Sequence, residues 1–206
     1  MILIDTIFAI AILVMSVVIH ELAHGYAALY LGDHTAEYEG RLTLNPIKHL
    51  DIMGSVVIPL ASFLLTGIVF GWAKPVPYNP YNLKNRRWGE LIVAAAGPVT
   101  NFVLALVAGF FLRFGPHFMV LSPALVTILI TIVITNILLA IFNLMPVPPL
   151  DGSKILFSLL PLRWRKVQNY IEKYGFFALV FLILFFGNAV SYIVTFIFKL
   201  ITGMGI

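Results

Sequence analysis

The sequence predicts an all-α polytopic membrane protein of about four full membrane helices plus one re-entrant segment, with a short re-entrant or interfacial β element. Three observations lead there. The chain is 61% hydrophobic and 11% charged, where a soluble domain has about 25% charged residues. Apolar runs long enough to span a bilayer recur along it, separated by breaks rich in proline and glycine. No polar stretch is long enough to form a separate soluble domain of ordinary size, so residues 1–206 read as a single membrane-embedded domain. The net charge of +4 fits the excess of basic residues expected in cytoplasmic loops, and nucleic acid is not an expected partner. There is no cysteine, so any metal must be held by His, Asp, Glu or water.

The first membrane helix spans residues 2–31 and is ended by Gly32-Asp33-His34. Its start lacks a basic n-region and a small-residue cleavage site, and reads as a retained helix. Residues 35–46 alternate in part between polar and apolar, which suits a short strand or hairpin at the interface. Residues 52–70 form a second apolar run. Residues 71–80 cannot be helical, because Pro75, Pro77 and Pro80 fix φ and remove donors. Residues 91–112 and 121–142 are membrane helices. A break at 143–152, Asn143-Leu144-Met145-Pro146-Val147-Pro148-Pro149-Leu150-Asp151-Gly152, leads into a short helix at 153–160. Residues 163–173 form an amphipathic surface segment, and 176–201 are the last membrane helix.

The chain is organised around His20-Glu21-Leu22-Ala23-His24, an H-E-x-x-H sequence beyond a run without charge from Ile7 to Ile19. Residues four apart on a helix differ by about 40° in direction and about 6 Å in height. His20 and His24 can therefore reach one metal ion, with Glu21 beside them as a general base toward water. Ionisable groups at membrane depth are costly and point to function. Two histidines leave a catalytic zinc site one protein ligand short. Asp5, Asp33 and Asp51 lie at helix ends, His34 and His49 in the interfacial loop, and His117 in a turn. Asp151 follows an apolar helix and a proline-rich break. By spacing alone it serves equally as a ligand or as the N-cap of the 153–160 helix.

The H-E-L-A-H sequence at His20 to His24, Ala-Gly-Pro-Val-Thr-Asn at Ala96 to Asn101, and the stretch from Asn143 to Gly152 occur in that order. Together they resemble the site-2 protease family of intramembrane zinc metalloproteases. The likeness covers about residues 7–160, the expected core, with the helix at about 176–201 beyond it. It implies one Zn²⁺ per chain held by His20, His24 and Asp151, with Glu21 activating water. The sequence resembles the compact form, with no membrane helix before H-E-x-x-H and no PDZ or CBS domain. The implied reaction is hydrolysis of peptide bonds within or near transmembrane helices of membrane-protein substrates. Such a helix must unwind locally, and residues 71–80 could offer an edge for it to pair with. Asn143 is the best side-chain donor to an oxyanion, with a C-cap of the preceding helix as its alternative. Asn101 is expected to bond a neighbouring helix or the loop backbone.

The His pair and Asp151 meet at one depth only if residues 32–90 leave and return on one side of the bilayer. With 52–70 re-entrant, Arg41, Lys48, Lys74, Lys84, Arg86, Arg87, Lys154, Arg163, Arg165, Lys166 and Lys173 share a side, eleven against the two of Arg113 and Lys199. A simple crossing makes it nine against four. The positive-inside rule favours the former and turns the site toward the cytoplasm. The rivals are a metal-binding or metal-transporting membrane protein and an inactive scaffold. A transporter needs polar groups across the bilayer, and the first half of helix one has only Thr6 and Ser16. A scaffold has no need of Glu21.

Overall fold

The computed structural model describes residues 2–58, 60, 64, 73–161 and 164–205. Six α-helices occur among them: α1 (Ile2–Tyr30), α2 (Thr35–Tyr38), α3 (Arg86–Phe114), α4 (Pro123–Leu144), α5 (Asp151–Leu159) and α6 (Arg165–Thr202). Four stretches are long and apolar enough to cross a membrane: Ile4–Tyr30, Trp88–His117, Pro123–Leu144 and Phe185–Thr202. Large apolar side chains such as Ile7, Phe8, Val107, Phe181 and Phe196 point outward, as a lipid solvent allows. Inside, Ala105 and Ala108 of α3, Leu129, Val133 and Ile137 of α4, and Val190, Val194 and Phe198 of α6 form the main core. Small residues on α3 let its neighbours come close. A Cβ on Gly109 would collide with Ile201.

Local chemistry sets the helix ends. Gly32, at φ +100°, closes α1. The Asp33 N–H reaches the Ala28 carbonyl at 2.9 Å and the Gly32 N–H reaches Leu29 at 3.0 Å, the Schellman pattern. The Asn85 side chain caps α3 at the Trp88 N–H, and Ser122 caps α4 at the Leu125 N–H ahead of Pro123.

Three expectations are corrected. No strand occurs among the described residues, and the expected hairpin at 35–46 is instead α2 followed by a 3₁₀ turn at Pro46–His49. An isolated two-stranded hairpin is marginal, whereas Asp33 accepts from the Thr35 N–H and hydroxyl, and Asn45 from the Ile47 N–H. Those side-chain bonds hold helical turns. Residues 73–79 form neither helix nor strand; Asn79 is extended, and Pro75 and Pro77 bias Lys74 and Val76 the same way. The surface segment at 163–173 and the last helix are not separate: from Arg165 they form one continuous helix, α6. Gly175 lies within it, and its missing Cβ lets the Pro148 carbonyl lie against α6; a Cβ there would sit 2.6 Å from that oxygen. The short helix begins at Asp151, not Ser153, and its N-cap is Leu150.

The run at 52–70 begins as a π-helical turn, Ile52–Val57, whose Gly54 N–H donates to the Asp51 carboxylate at 3.1 Å. Most of the remaining expectation for this run lies outside the described residues. Outside the run, the Lys74 N–H donates to the His49 carbonyl at 2.9 Å.

Candidate metal centre

α1 carries His20 and His24 one turn apart on its buried face, packed against α3. Asp151 comes from the first turn of α5, where a backbone released by the 145–150 turn swings its carboxylate inward. Gly152 permits that turn, since a Cβ on it would strike the Leu144 and Met145 carbonyls. The three residues are 5%, 8% and 7% exposed. His20 Nε2 and His24 Nε2 lie 3.1 Å apart, and each lies 3.1 Å from Asp151 Oδ2. Among the described residues these three form the one group able to hold a metal ion.

The hydrogen bonds behind the rings decide what these atoms present. His24 Nδ1 faces the Val93 carbonyl at 2.6 Å, which can only accept. His20 Nδ1 faces Asn101 Oδ1. Each ring, in its neutral form, thus carries its proton on Nδ1 and turns its Nε2 lone pair toward a carboxylate oxygen. Three acceptors converge with no proton assigned between them, which is the donor set of a cation site. The spacing also fits. Ligands about 2.0–2.1 Å from a tetrahedral zinc stand about 3.3–3.4 Å from one another, within a few tenths of an ångström of the 3.1 Å found. Gly97 of α3 leaves the room: a Cβ there would sit 2.5 Å from His24 Nε2 and 2.6 Å from His20 Nε2.

Glu21 is half-buried beside this triangle. Its Oε2 accepts from the Val76 N–H at 2.8 Å. Val76 is buried, seated over the notch at Gly25, one turn beyond Glu21 on α1. Segment 73–79 is held at further points. Arg41 donates to the Lys74 and Pro75 carbonyls at 2.9 and 3.2 Å. Asp33 accepts from the Asn79 N–H at 2.7 Å and from Asn82 Nδ2 at 2.9 Å. Burial would raise the Asp33 pKa, but the bonds from Thr35, Asn82 and Asn79 outweigh it and hold the carboxyl below its ordinary value.

The remaining candidates lie elsewhere. His34 pairs with Glu37 at the surface, His49 is buried against the Thr43 carbonyl, and His117 reaches Phe114. Asp33 and Asp51 act as caps and clamps. Asn143 sits in the last turn of α4, where its Nδ2 donates to the Leu139 carbonyl at 3.0 Å. Asn101 does bond neighbouring helices, as expected, but its oxygen also faces His20 Nδ1. Sequence reasoning did not single out Asn136, the Val76 amide or the Gly25 notch. Asn136 could have been noticed as an amide in the middle of an uncharged membrane helix.

The family model described as "Peptidase family M50" matches residues 8–124 and 115–186. "Putative zinc metalloprotease YwhC" of Bacillus subtilis (strain 168) is 41% identical over 192 residues, covering 90% of this chain and 83% of that protein. "Putative zinc metalloprotease Rip2" of Mycolicibacterium smegmatis is 32% identical, over 86% of this chain and 67% of that one. Its Mycobacterium tuberculosis (strain H37Rv) counterpart is 33% identical, over 84% and 63%. No solved structure matches the chain at comparable significance.

Proposed function

The chain belongs to peptidase family M50, and from that premise we propose that it is an intramembrane zinc metalloprotease whose metal ligands are His20, His24 and Asp151 and whose general base is Glu21. The observation that carries this reading is the convergence of two Nε2 lone pairs and one carboxylate oxygen, 3.1 Å apart, on a pocket kept open by Gly97. Bound there, zinc would supply Lewis acidity and make water a nucleophile near neutral pH.

The chain's own groups do the rest. Glu21 Oε2 is tied to the Val76 amide, so Oε1 is the oxygen that takes a proton from the attacking water and delivers it to the leaving amine. Asn143 keeps a second amide N–H besides the one directed at Leu139. We assign that N–H to the oxyanion. The substrate is a transmembrane helix, locally unwound, whose backbone lies along segment 73–79 beside Glu21.

Residues 52–70 are taken as a re-entrant segment, and the site as facing the cytoplasm. The His49–Lys74 bond supports the first. The positive-inside rule supports the second, because Arg41 and Lys74 lie by the site whereas Arg113 bonds Leu200 near the far end of α6.

Metal analysis and cleavage assays test the assignment together. Purified protein should hold about one zinc per chain. His20→Ala, His24→Ala and Asp151→Ala should each lose most of it. Glu21→Gln should keep the zinc while cleaving a single-pass membrane substrate about 10²- to 10⁴-fold more slowly. Full zinc retention in Asp151→Ala removes that ligand. Wild type that cleaves no substrate, yet carries metal into proteoliposomes in a His20- and His24-dependent way, overturns the protease reading.

A further inference from the structure

Behind the metal-facing histidines, three helices meet in a buried chain of amides. Asn136 of α4, Asn101 of α3 and Ser16 of α1 are 1%, 0% and 4% exposed. Asn136 Nδ2 donates to the Ile132 carbonyl at 2.9 Å and to Ser16 Oγ at 3.0 Å. A carbonyl only accepts, so the nitrogen of this amide must lie on that side and Oδ1 on the other. Oδ1 accepts from Asn101 Nδ2 at 2.7 Å, and the same nitrogen reaches the Ser16 carbonyl at 3.4 Å. The Asn101 oxygen is thereby turned to His20 Nδ1. A ring nitrogen facing an oxygen acceptor carries the proton, which leaves Nε2 with its lone pair toward Asp151 and His24.

The two histidines are held by different means. His24 is oriented by a main-chain carbonyl, which cannot turn over. His20 is oriented by a side-chain amide, whose ends exchange by a half-turn about χ2. With its N–H₂ toward His20, Asn101 would demand a lone pair at Nδ1 and drive the proton onto Nε2, where the metal must bind. Two acceptors oppose this, and Asn136 Oδ1 at 2.7 Å is far the closer of them, the Ser16 carbonyl standing at 3.4 Å.

We propose that Asn136 is a positioning residue for the metal ligand His20, holding its Nδ1–H tautomer through Asn101. The proposal rests on the zinc site described above, but its first test needs no metal. Nitrogen-15 spectra of the full chain in detergent, labelled at histidine and stripped of metal, distinguish Nδ1–H from Nε2–H rings; His20→Ala identifies the His20 signals. Wild type should show His20 as Nδ1–H. Asn136→Leu, of the same γ-branched shape but without polar atoms, should show a mixture containing Nε2–H, with the His24 signals unchanged. Asn136→Ala is the second variant, and whichever of the two keeps the wild-type His24 signals is read. That variant should also bind zinc about 10- to 100-fold more weakly in chelator competition. In Asn136→Asp, a protonated carboxyl can donate to Ile132 and accept from Asn101, so both the tautomer and the zinc affinity should return. A helix-stapling role for Asn136 alone would leave the tautomer untouched. His20 found as Nε2–H in wild type, or as pure Nδ1–H in a folded Asn136→Leu or Asn136→Ala, overturns the proposal. Failure of wild type to bind zinc would sink the metal reading instead, with the tautomer result standing separately.

Discussion

Gly97→Ala is the smallest change that should empty the metal centre. The added Cβ would stand 2.5 Å from His24 Nε2 and 2.6 Å from His20 Nε2 and Cε1. Ordinary contacts need about 3.5 Å, so either the imidazoles or α3 must shift by about 1 Å. Neither ring is free to do so. His24 is bonded to Val93, on the same helix as Gly97, and His20 to Asn101. A displacement of about 1 Å at a reacting centre costs about 10²-fold in rate, and displaced ligands should also weaken zinc binding. The assay is zinc affinity by chelator competition, followed by cleavage of a single-pass substrate at saturating zinc. Gly187→Ala is the control, since its Cβ would meet nothing within 4 Å. As an exposed helix glycine it should gain up to about 1 kcal/mol. A Gly97→Ala protein with wild-type zinc affinity and wild-type rate would refute the open cradle and the lone-pair geometry derived from it.

Gly25→Ala should act on the base while sparing the metal, because its Cβ would stand 2.5 Å from Leu42 Cδ2 and 2.9 Å from Val76 Cγ1. Lifting Val76 breaks its amide bond to Glu21, so kcat should fall about 10-fold or more with zinc content unchanged; loss of zinc would show instead that α1 itself had moved. The Asp33 carboxyl has a folded pKa below its unfolded value of 3.8. Its clamp on 79–82 should therefore contribute fully above about pH 4 and be lost as the pH falls through the folded pKa. Asn in place of Asp33 should flatten that acid limb of a stability-versus-pH curve, and an unchanged limb would dissociate the clamp from it. Single cysteines at Lys48 and Lys84 should label from the side opposite to one at Arg113. Labelling of Lys48 and Lys84 from opposite sides would defeat the re-entrant topology.

What the sequence determined by itself was whatever depends on neighbours along the chain. The helical repeat alone puts His20 and His24 on one face, and apolar runs alone announce the four spanning helices. Asp151 was left between ligand and N-cap by its spacing, and only the motif resemblance favoured the ligand. The fold carries its Oδ2 to 3.1 Å from both rings. Where local signals compete, they were read less well. Side-chain caps at Asp33 and Asn45 produced turns where alternation suggested a hairpin, and the polar segment at 163–173 read apart from a membrane helix with which it is continuous from Arg165. The tertiary structure decided the rest, because it depends on which groups meet across helices. Nothing local says that an amide at Asn136 will set the proton of a ring 116 positions earlier, or that the Val76 N–H will hold one oxygen of Glu21. In a bilayer the buried polar groups must satisfy one another, and only the packing of α1, α3 and α4 reveals which partner each one has.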